Sequence, residues 1–504
     1  MSLVSNQFLL LAGASLLVYY LAPARIRWMV LLLFSYLYYI MGGIWLTGYL
    51  FFSTIVTFVA ARLIGYLYEK GEEPKKAKWI LVPALLLNLG MLCVLKYTGF
   101  LLDNVNALFH TSLRGMDLVL PLGLSFYTFQ SSGYLLDVYW KRVEAEKNPL
   151  KYALFVSYFP QLMQGPIGRY SLLAHQLYEP HGLKRENLVR GAERMLWGFF
   201  KKMVIADWAV VFVDAIFDTP DLYQGVALFG AIFYMIELYA DFSGAMDVVI
   251  GLSQMFGITL EENFRRPFFA TSMSDFWHRW HITLGNWMKE YLFYPVSLSG
   301  WMAKFSKWAK KTFGRKTGRV LPIALADIIV FLAVGVWHGP QWKYVVYGLY
   351  NGLIIGTSEL LAGKYREWKK ALHITGKERW YFAFMLIRTL FLTLTRMYFD
   401  RADSVRAALS MMKSTLTSFQ PSVLLTIPAG RDGLSFTPYA LLIIVCGCVV
   451  LFTVEVLQER GIRVRESLAK LPLPATAAIY FILLLSIGLF GSTAAVKGFI
   501  YAQF

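Results

Sequence analysis

Apolar runs of about 18–25 residues, the length that crosses a bilayer core, follow one another along almost the whole chain. A backbone in lipid must satisfy its own N–H and C=O groups, so such runs fold as helices. Of the 504 residues, 57% are hydrophobic and 16% charged, where a soluble domain has about 25% charged. The sequence therefore predicts an all-α, polytopic membrane protein. Apolar stretches lie near 7–22, 27–41, 44–66, 79–98, 117–140, 150–167, 188–216, 224–255, 319–338, 341–362, 380–399, 437–457 and 473–496. They give roughly eleven to thirteen spans plus re-entrant or interfacial helices. No long polar block interrupts them, so the chain reads as one membrane-embedded domain, 1–504.

The net charge of +17 does not point to nucleic acid, because the basic residues fall between spans, as topology requires. Glu69–Lys78 carries four lysines and Trp301–Arg319 seven basic residues without an acid. Lys364–Arg379 carries six basic residues and Arg460–Lys470 four. These segments are expected in the cytoplasm, with the N-terminus and Phe504 outside. Met1–Gln7 has no positive charge and no cleavage signature, so the first run reads as a retained span. Residues 400–436 are expected outside, amphipathic over Val405–Met412 and turn-rich over Pro428–Gly433, as a connector or a partner's docking place. Cys93, Cys446 and Cys448 sit inside apolar spans. They form no disulfide framework or thiolate metal site and read as small core residues.

The middle of the chain is irregular. Tyr158–Arg169 places two prolines and two glycines in an apolar context, tolerated at membrane depth only where backbone is buried or lines a cavity. A broken or re-entrant helix is expected there. Glu261–Pro295 is aromatic yet rich in charge, so it belongs in the interface or inside the bundle. Within it, Ser274–Trp287 reads as one helix with Trp277, Trp280, Leu284 and Trp287 on a single face. Ser274 is its expected N-cap, Asp275 and Arg279 are i, i+4 partners, and His278 and His281 share a side. No further ligand at suitable spacing accompanies these histidines, so no metal site is expected. Glu237 and Asp241 put two acids on one face of a span, with Asp247 nearby, as a structural ion pair or as chemistry. Arg265, Arg266 and Arg279 are their candidate partners. Ser125–Gln130 adds polar groups to a span that also holds Asp137, as helix–helix glue or as function.

His338 ends the apolar run Val320–Trp337, and Gly339–Pro340 stops the helix there. An ionisable group at such a depth is a functional-site hypothesis by default. The partial negative charge of a helix C-terminus favours a proton on the ring, which suits a general base.

In order along the chain stand Pro121–Gln130, Phe159–Leu162 with Gly165–Ile167 and Arg169, Asp241–Gly244 with Asp247, and Asn263–Phe264 with Arg266–Pro267. Asp275–Trp277 leading to Arg279–His281, then Trp337–Gly339 with Trp342, and finally Phe499–Phe504 complete the set. Taken together the chain resembles the membrane-bound O-acyltransferase family, especially its bacterial branch of alginate O-acetyltransferases and teichoic acid D-alanyl transfer proteins. The resemblance implies a ring of helices around a central tunnel, with 1–116 as N-terminal helices, 117–360 as catalytic core and 361–504 as C-terminal helices. It implies that His338 is the catalytic histidine and His281 a second functional histidine facing the cytoplasmic donor. Trp337, Trp280, Gln130, Ser125, Asn263 and Asp241 are the expected tunnel lining. Two departures stand out: His278 where relatives more often have arginine, and Tyr350–Asn351–Gly352 where many show His–Gly.

The expected chemistry is acyl transfer from a cytoplasmic thioester, acetyl-coenzyme A first, with no tightly bound cofactor. His338 takes the hydroxyl proton and His281 orients the donor or polarises its carbonyl. No nucleophile signature such as G-x-S-x-G is present, so direct transfer is simpler than an acyl-enzyme. The resemblance further implies a bacterial cytoplasmic-membrane location, contact with membrane lipid, and an extracytoplasmic, esterase-like transferase that passes the group to a polysaccharide or cell-wall polymer. Acylation of a lipid or protein hydroxyl is the enzyme alternative. Rivals of other classes are a proton-coupled transporter using Glu237, Asp241 and Asp247, and a non-catalytic scaffold.

Overall fold

The computed structural model describes residues 2–115, 118–162, 164–428 and 437–491. Among them the regular elements are helices, apart from one isolated antiparallel bridge between Phe264 and Trp280. The terminal Phe499–Phe504 motif, Met163, and the turn-rich segment beyond Pro428 lie outside the described residues. Eight described helices are long and apolar enough to cross a bilayer. Several other apolar stretches fall short for identifiable reasons. The helices α1 (Asn6–Leu21) and α2 (Arg27–Ile40) have 16 and 14 residues, under the roughly 20 that span a core.

Contacts group the chain into two compact units. The first comprises residues 2–202 and Phe242–Glu262. It contains α1, α2, α3 (Thr47–Glu69), α4 (Pro74–Phe109), α5 (Leu124–Tyr139), α6 (Pro149–Ser157) and α7 (Arg185–Phe200). Ser5 and Asn148 start α1 and α6 by accepting hydrogen bonds from backbone N–H groups of the first turn. The helices α3, α4 and α5 are held by polar side chains. Ser53 Oγ donates to Asn88 Oδ1 at 2.6 Å, and Asn88 Nδ2 donates to Thr57 Oγ1 at 3.1 Å. Such bonds replace the hydrophobic drive that lipid cannot supply between helices. Helix α5 is buried on nearly every side, so the 117–140 stretch is an interior helix. The broken helix expected after residue 150 is present: α6 stops at Ser157, Tyr158 turns the backbone (φ −48°, ψ 106°), and one further helical turn covers Phe159–Leu162.

The second unit comprises Met203–Asp241 and Asn263–Ala494. It contains α8 (Asp207–Asp218), the first half of α9 (Ala227–Met255), α10 (Met273–Arg279), α11 (Ile282–Met288), α12 (Gly300–His338), α13 (Trp342–Ala371), α14 (Arg379–Arg401), α15 (Val405–Thr417), α16 (Thr437–Glu459) and α17 (Leu473–Phe490). A π-helical segment, Lys201–Ala206, separates α7 from α8, which divides the 188–216 stretch. The expected basic loop 301–319 is helical instead. It forms the first arm of α12, which kinks at Gly314 (φ 80°, ψ 166°), a conformation only glycine adopts without strain. Its seven basic side chains are all exposed, so being helical costs them no solvation.

Helices α12 and α13 form an antiparallel pair whose seam is made of small residues. A Cβ on Gly348 would lie 2.4 Å from the Phe331 carbonyl oxygen, one on Gly352 2.9 Å from Ile328 Cα, and one on Gly335 2.2 Å from the Tyr344 carbonyl oxygen. This close approach of two backbones is the membrane form of helix packing. The cysteines are not core residues: Cys93 and Cys446 are exposed and Cys448 is half-buried. They lie on faces that lipid can cover.

Candidate active site

His338 is the last residue of α12, and the backbone leaves the helix at Gly339, which is extended. Glycine is required there by space, because a Cβ would lie 2.4 Å from the Tyr344 ring. His338 is 3% exposed as a residue. Three aromatic rings surround it: Tyr347 at 5.0 Å, Trp337 at 5.1 Å and Tyr344, roughly parallel, at 6.0 Å. Its Nδ1 lies 3.9 Å from Asp400 Oδ1. Asp400 is the penultimate residue of α14, which ends at Arg401, and its other oxygen accepts a hydrogen bond from Tyr234 at 3.2 Å.

One turn earlier on the same face, Arg396 is completely buried. Its guanidinium lies over the rings of Phe276 (4.6 Å), Trp277 (5.1 Å), Trp280 (5.6 Å) and Tyr347 (5.6 Å). It donates to the Tyr347 hydroxyl. A buried cation needs compensation, and here aromatic faces and the neighbouring Asp400 carboxylate supply it. Arg396 thereby fixes Tyr347 against His338 and ties α13 and α14 to the aromatic segment around Trp280.

That segment departs from the sequence expectation. Ser274–Trp287 is two short helices, α10 and α11, not one. Between them Trp280 is extended, and His281 adopts a left-handed conformation (φ 47°, ψ 52°), which costs a non-glycine residue about 1 kcal/mol or more. The cause is a long-range contact invisible to helical periodicity. The backbone of 263–265 pairs with that of 279–282: Arg265 N donates to Arg279 O at 2.9 Å, and Ile282 N to Asn263 O at 3.0 Å. The N-cap of α10 is Ser272, which accepts from Asp275 N, rather than Ser274. The Asp275–Arg279 ion pair is present at 2.9 Å. The break turns His281 inward, where it is 2% exposed, and leaves His278 exposed. The two histidines thus do not share a side.

The protonation pattern of His281 follows from its partner. Asn263 Oδ1 accepts from Thr283 N at 3.0 Å and from Thr283 Oγ1 at 2.9 Å. A backbone N–H can only donate, so this atom is the amide oxygen. His281 Nδ1, 3.2 Å away, must therefore carry the proton, and Nε2 is the acceptor. Burial pushes the ring's pKa down to about 3, so the ring is neutral. A neutral ring with Nδ1–H has no N–H at Nε2 to polarise a carbonyl. That expected role does not fit, and orientation through an accepted hydrogen bond does.

The Trp337 ring touches both histidines, 5.8 Å from His281 and 5.1 Å from His338. The second unit thus gathers His338, His281, Trp337, Trp280 and Asn263. Asp241 is buried on α9. Gln130 and Ser125 are buried within α5 of the first unit, where Gln130 approaches Gly168 beside Gln161. Gln161 and Gln164 are buried there, and neither amide atom of either is hydrogen-bonded among the described residues; they had no place in the expected lining. Arg396, Asp400 and Tyr347 were missed too, although a charge inside the apolar run 380–399, with another just past its end, is the signal that singled out His338.

The expected ion-pair partners also differ. Arg266 and Arg279 both bind Glu459 on α16, at 2.5 and 3.1 Å. Asp247 is held by Arg194 at 2.8 Å and Lys201 at 2.6 Å. A carboxylate neutralised by two cations is a structural anchor, which takes Asp247 out of a proton relay. No group of three or more potential metal ligands occurs among the described residues.

Known proteins resemble the chain over most of its length. A model of the membrane-bound O-acyltransferase family matches residues 145–396, a stretch that includes His281 and His338. The chain is 33% identical over 444 residues to a probable alginate O-acetylase of Azotobacter vinelandii, covering 84% of this chain and 82% of that protein. It is 32% identical over 385 residues to a peptidoglycan O-acetyltransferase of Helicobacter pylori, covering 71% and 67%. A teichoic acid D-alanyltransferase of Bacillus subtilis is 28% identical over 273 residues, covering 52% and 64%. The helical membrane architecture, the ordered motifs and this extent of identity establish that the chain belongs to the membrane-bound O-acyltransferase family and is an O-acyltransferase.

Proposed function

We propose that this protein moves an acyl group, acetyl first, from a cytoplasmic thioester to a hydroxyl on the outer face of a bacterial cytoplasmic membrane, for attachment to an envelope polysaccharide or wall polymer. The observation that carries the reading is His338. It is an imidazole at the end of a membrane helix, walled by Trp337, Tyr344 and Tyr347 and facing a carboxylate. In the proposed step the acceptor oxygen forms a bond to the acyl carbon while the carbon–sulfur bond breaks. The hydroxyl proton passes to His338 and from there to the departing thiolate. Such base assistance contributes about 10²–10⁴ in rate.

His281 takes a different part. Its Nε2 accepts a hydrogen bond, which suits an amide N–H on the arm of a donor such as acetyl-coenzyme A. Trp337, in contact with both rings, holds them at a fixed separation. Relatives named for alginate, peptidoglycan and teichoic acid support a glycan or wall polymer as final acceptor. An extracytoplasmic, esterase-like transferase is the proposed carrier to it, and the surrounding lipid is the solvent for the exposed apolar faces.

The test is to supply purified protein with radiolabelled acetyl-coenzyme A, with and without a hydroxyl acceptor and a secreted transferase. Free thiol and labelled acceptor should appear in equal amounts. Failure to consume any acyl thioester would overturn the reading.

A further inference from the structure

The carboxylate opposite His338 has no part in the chemistry so far. Asp400 and His338 are both almost fully buried, with side chains 2% and 4% exposed. Asp400 Oδ2 is engaged by the Tyr234 hydroxyl at 3.2 Å. Asp400 Oδ1 accepts no hydrogen bond among the described residues, and it lies 3.9 Å from His338 Nδ1. That separation is too long for a hydrogen bond but within reach of one small side-chain adjustment. Catalytic hydrogen bonds are often long before substrate arrives. An unbonded carboxylate oxygen in an apolar interior is expensive, and the ring N–H opposite is the group that would relieve it.

We infer that Asp400 is a positioning residue for His338. Its Oδ1 receives the Nδ1–H of the imidazole, fixes the tautomer that directs the Nε2 lone pair to the acceptor hydroxyl, and stabilises the imidazolium formed when the proton arrives. The inference rests on His338 being the base. The other charged or titratable groups around the pair are Arg396 on α14, Lys343, Tyr344 and Tyr347 on α13, and Tyr234 on α9. Arg396 and Lys343 are the cations whose field Asp400 feels. Arg396 sits one turn away on the same helix.

The asparagine and alanine variants separate positioning from packing. Tyr234 holds the outer carboxylate oxygen, so in Asp400→Asn the amide oxygen takes that place and the NH₂ faces Nδ1. An N–H pointed at Nδ1 forces the proton onto Nε2, the wrong tautomer. Asp400→Ala leaves the ring to choose. If Asp400 positions the ring, kcat in Asp400→Asn falls by on the order of 10²-fold or more, further than in Asp400→Ala, with KM for the thioester little changed. In both variants the acidic limb of the rate–pH profile moves to lower pH by about one unit or more. Tyr234→Phe, which leaves Asp400 in place, shows a smaller loss in the same direction and keeps the test open if the Asp400 variants fail to fold. A purely structural role predicts the opposite order, with the isosteric asparagine milder than alanine and the pH limb unmoved. That result, or wild-type kcat and pH dependence in Asp400→Asn, overturns the inference. An inactive His338→Ala beside a fully active Asp400→Asn would discard only the positioning role. An active His338→Ala would discard the proposed function itself.

Discussion

Two histidines in one site carry different protonation logic because their partners differ. His281 donates from Nδ1 to an amide oxygen already claimed by Thr283, and its burial keeps it neutral. The folded ring takes a proton only near pH 3, whereas an unfolded histidine takes one near about 6.5. Between these values the unfolded chain binds more protons. The stability this residue supports is therefore intact above about pH 6.5 and drains away as pH falls toward 3. In His281→Gln the drop in melting temperature between pH 7 and pH 5 should shrink; an unchanged drop would contradict the assignment. His338 could be read from the sequence because Gly339 and Pro340 mark its helix end. Asp400 and Arg396 were harder to connect to it, because their meeting with His338 is made by the packing of α12, α13 and α14, which periodicity within one helix does not encode.

At the scale of elements, the pairing of α12 with α13 sets the site. Gly335, Gly348 and Gly352 let the backbones approach closely enough to lay Tyr344 and Tyr347 beside His338. Gly348→Ala should cost about 1–3 kcal/mol by overpacking, because its Cβ would meet the Phe331 backbone oxygen at 2.4 Å. Activity should fall with it as the tyrosines shift. Gly363→Ala, on the same helix with nothing within 4 Å, is the control and should unfold at or slightly above the wild-type temperature, since alanine is the better helix former. Thermal unfolding in detergent compares the two. The long spans were legible because lipid imposes length and apolarity at once. Two elements were not. The aromatic run Ser274–Trp287 satisfies helical spacing yet breaks at His281, since pairing with Asn263–Arg265 outweighs local preference. The basic run Trp301–Arg319 has the charge of a loop yet folds as a helical arm, since lysine and arginine are good helix formers and Gly314 supplies the turn.

For the whole molecule, the charge distribution makes a topological claim. The basic arm of α12, with seven exposed cations, belongs on the cytoplasmic side, and α15 belongs outside. On a background lacking Cys93, Cys446 and Cys448, Lys311→Cys should react with a membrane-impermeant maleimide only after the cytoplasmic face is opened. Leu416→Cys, at a position 87% exposed, should react in intact cells. Reversed labelling would invert the orientation and with it the side from which the donor enters. The same orientation puts the end of α12 that bears His338 toward the outer face, the side from which the proposed acceptor hydroxyl would come.

The most direct measurement is the rate of thiol release from acetyl-coenzyme A in the presence of acceptor, for wild type against His338→Ala, with equal melting temperatures showing that both are folded. The proton-transfer role predicts a fall of about 10²–10⁴-fold in kcat with thioester binding retained. Equal rates in the two proteins would contradict it.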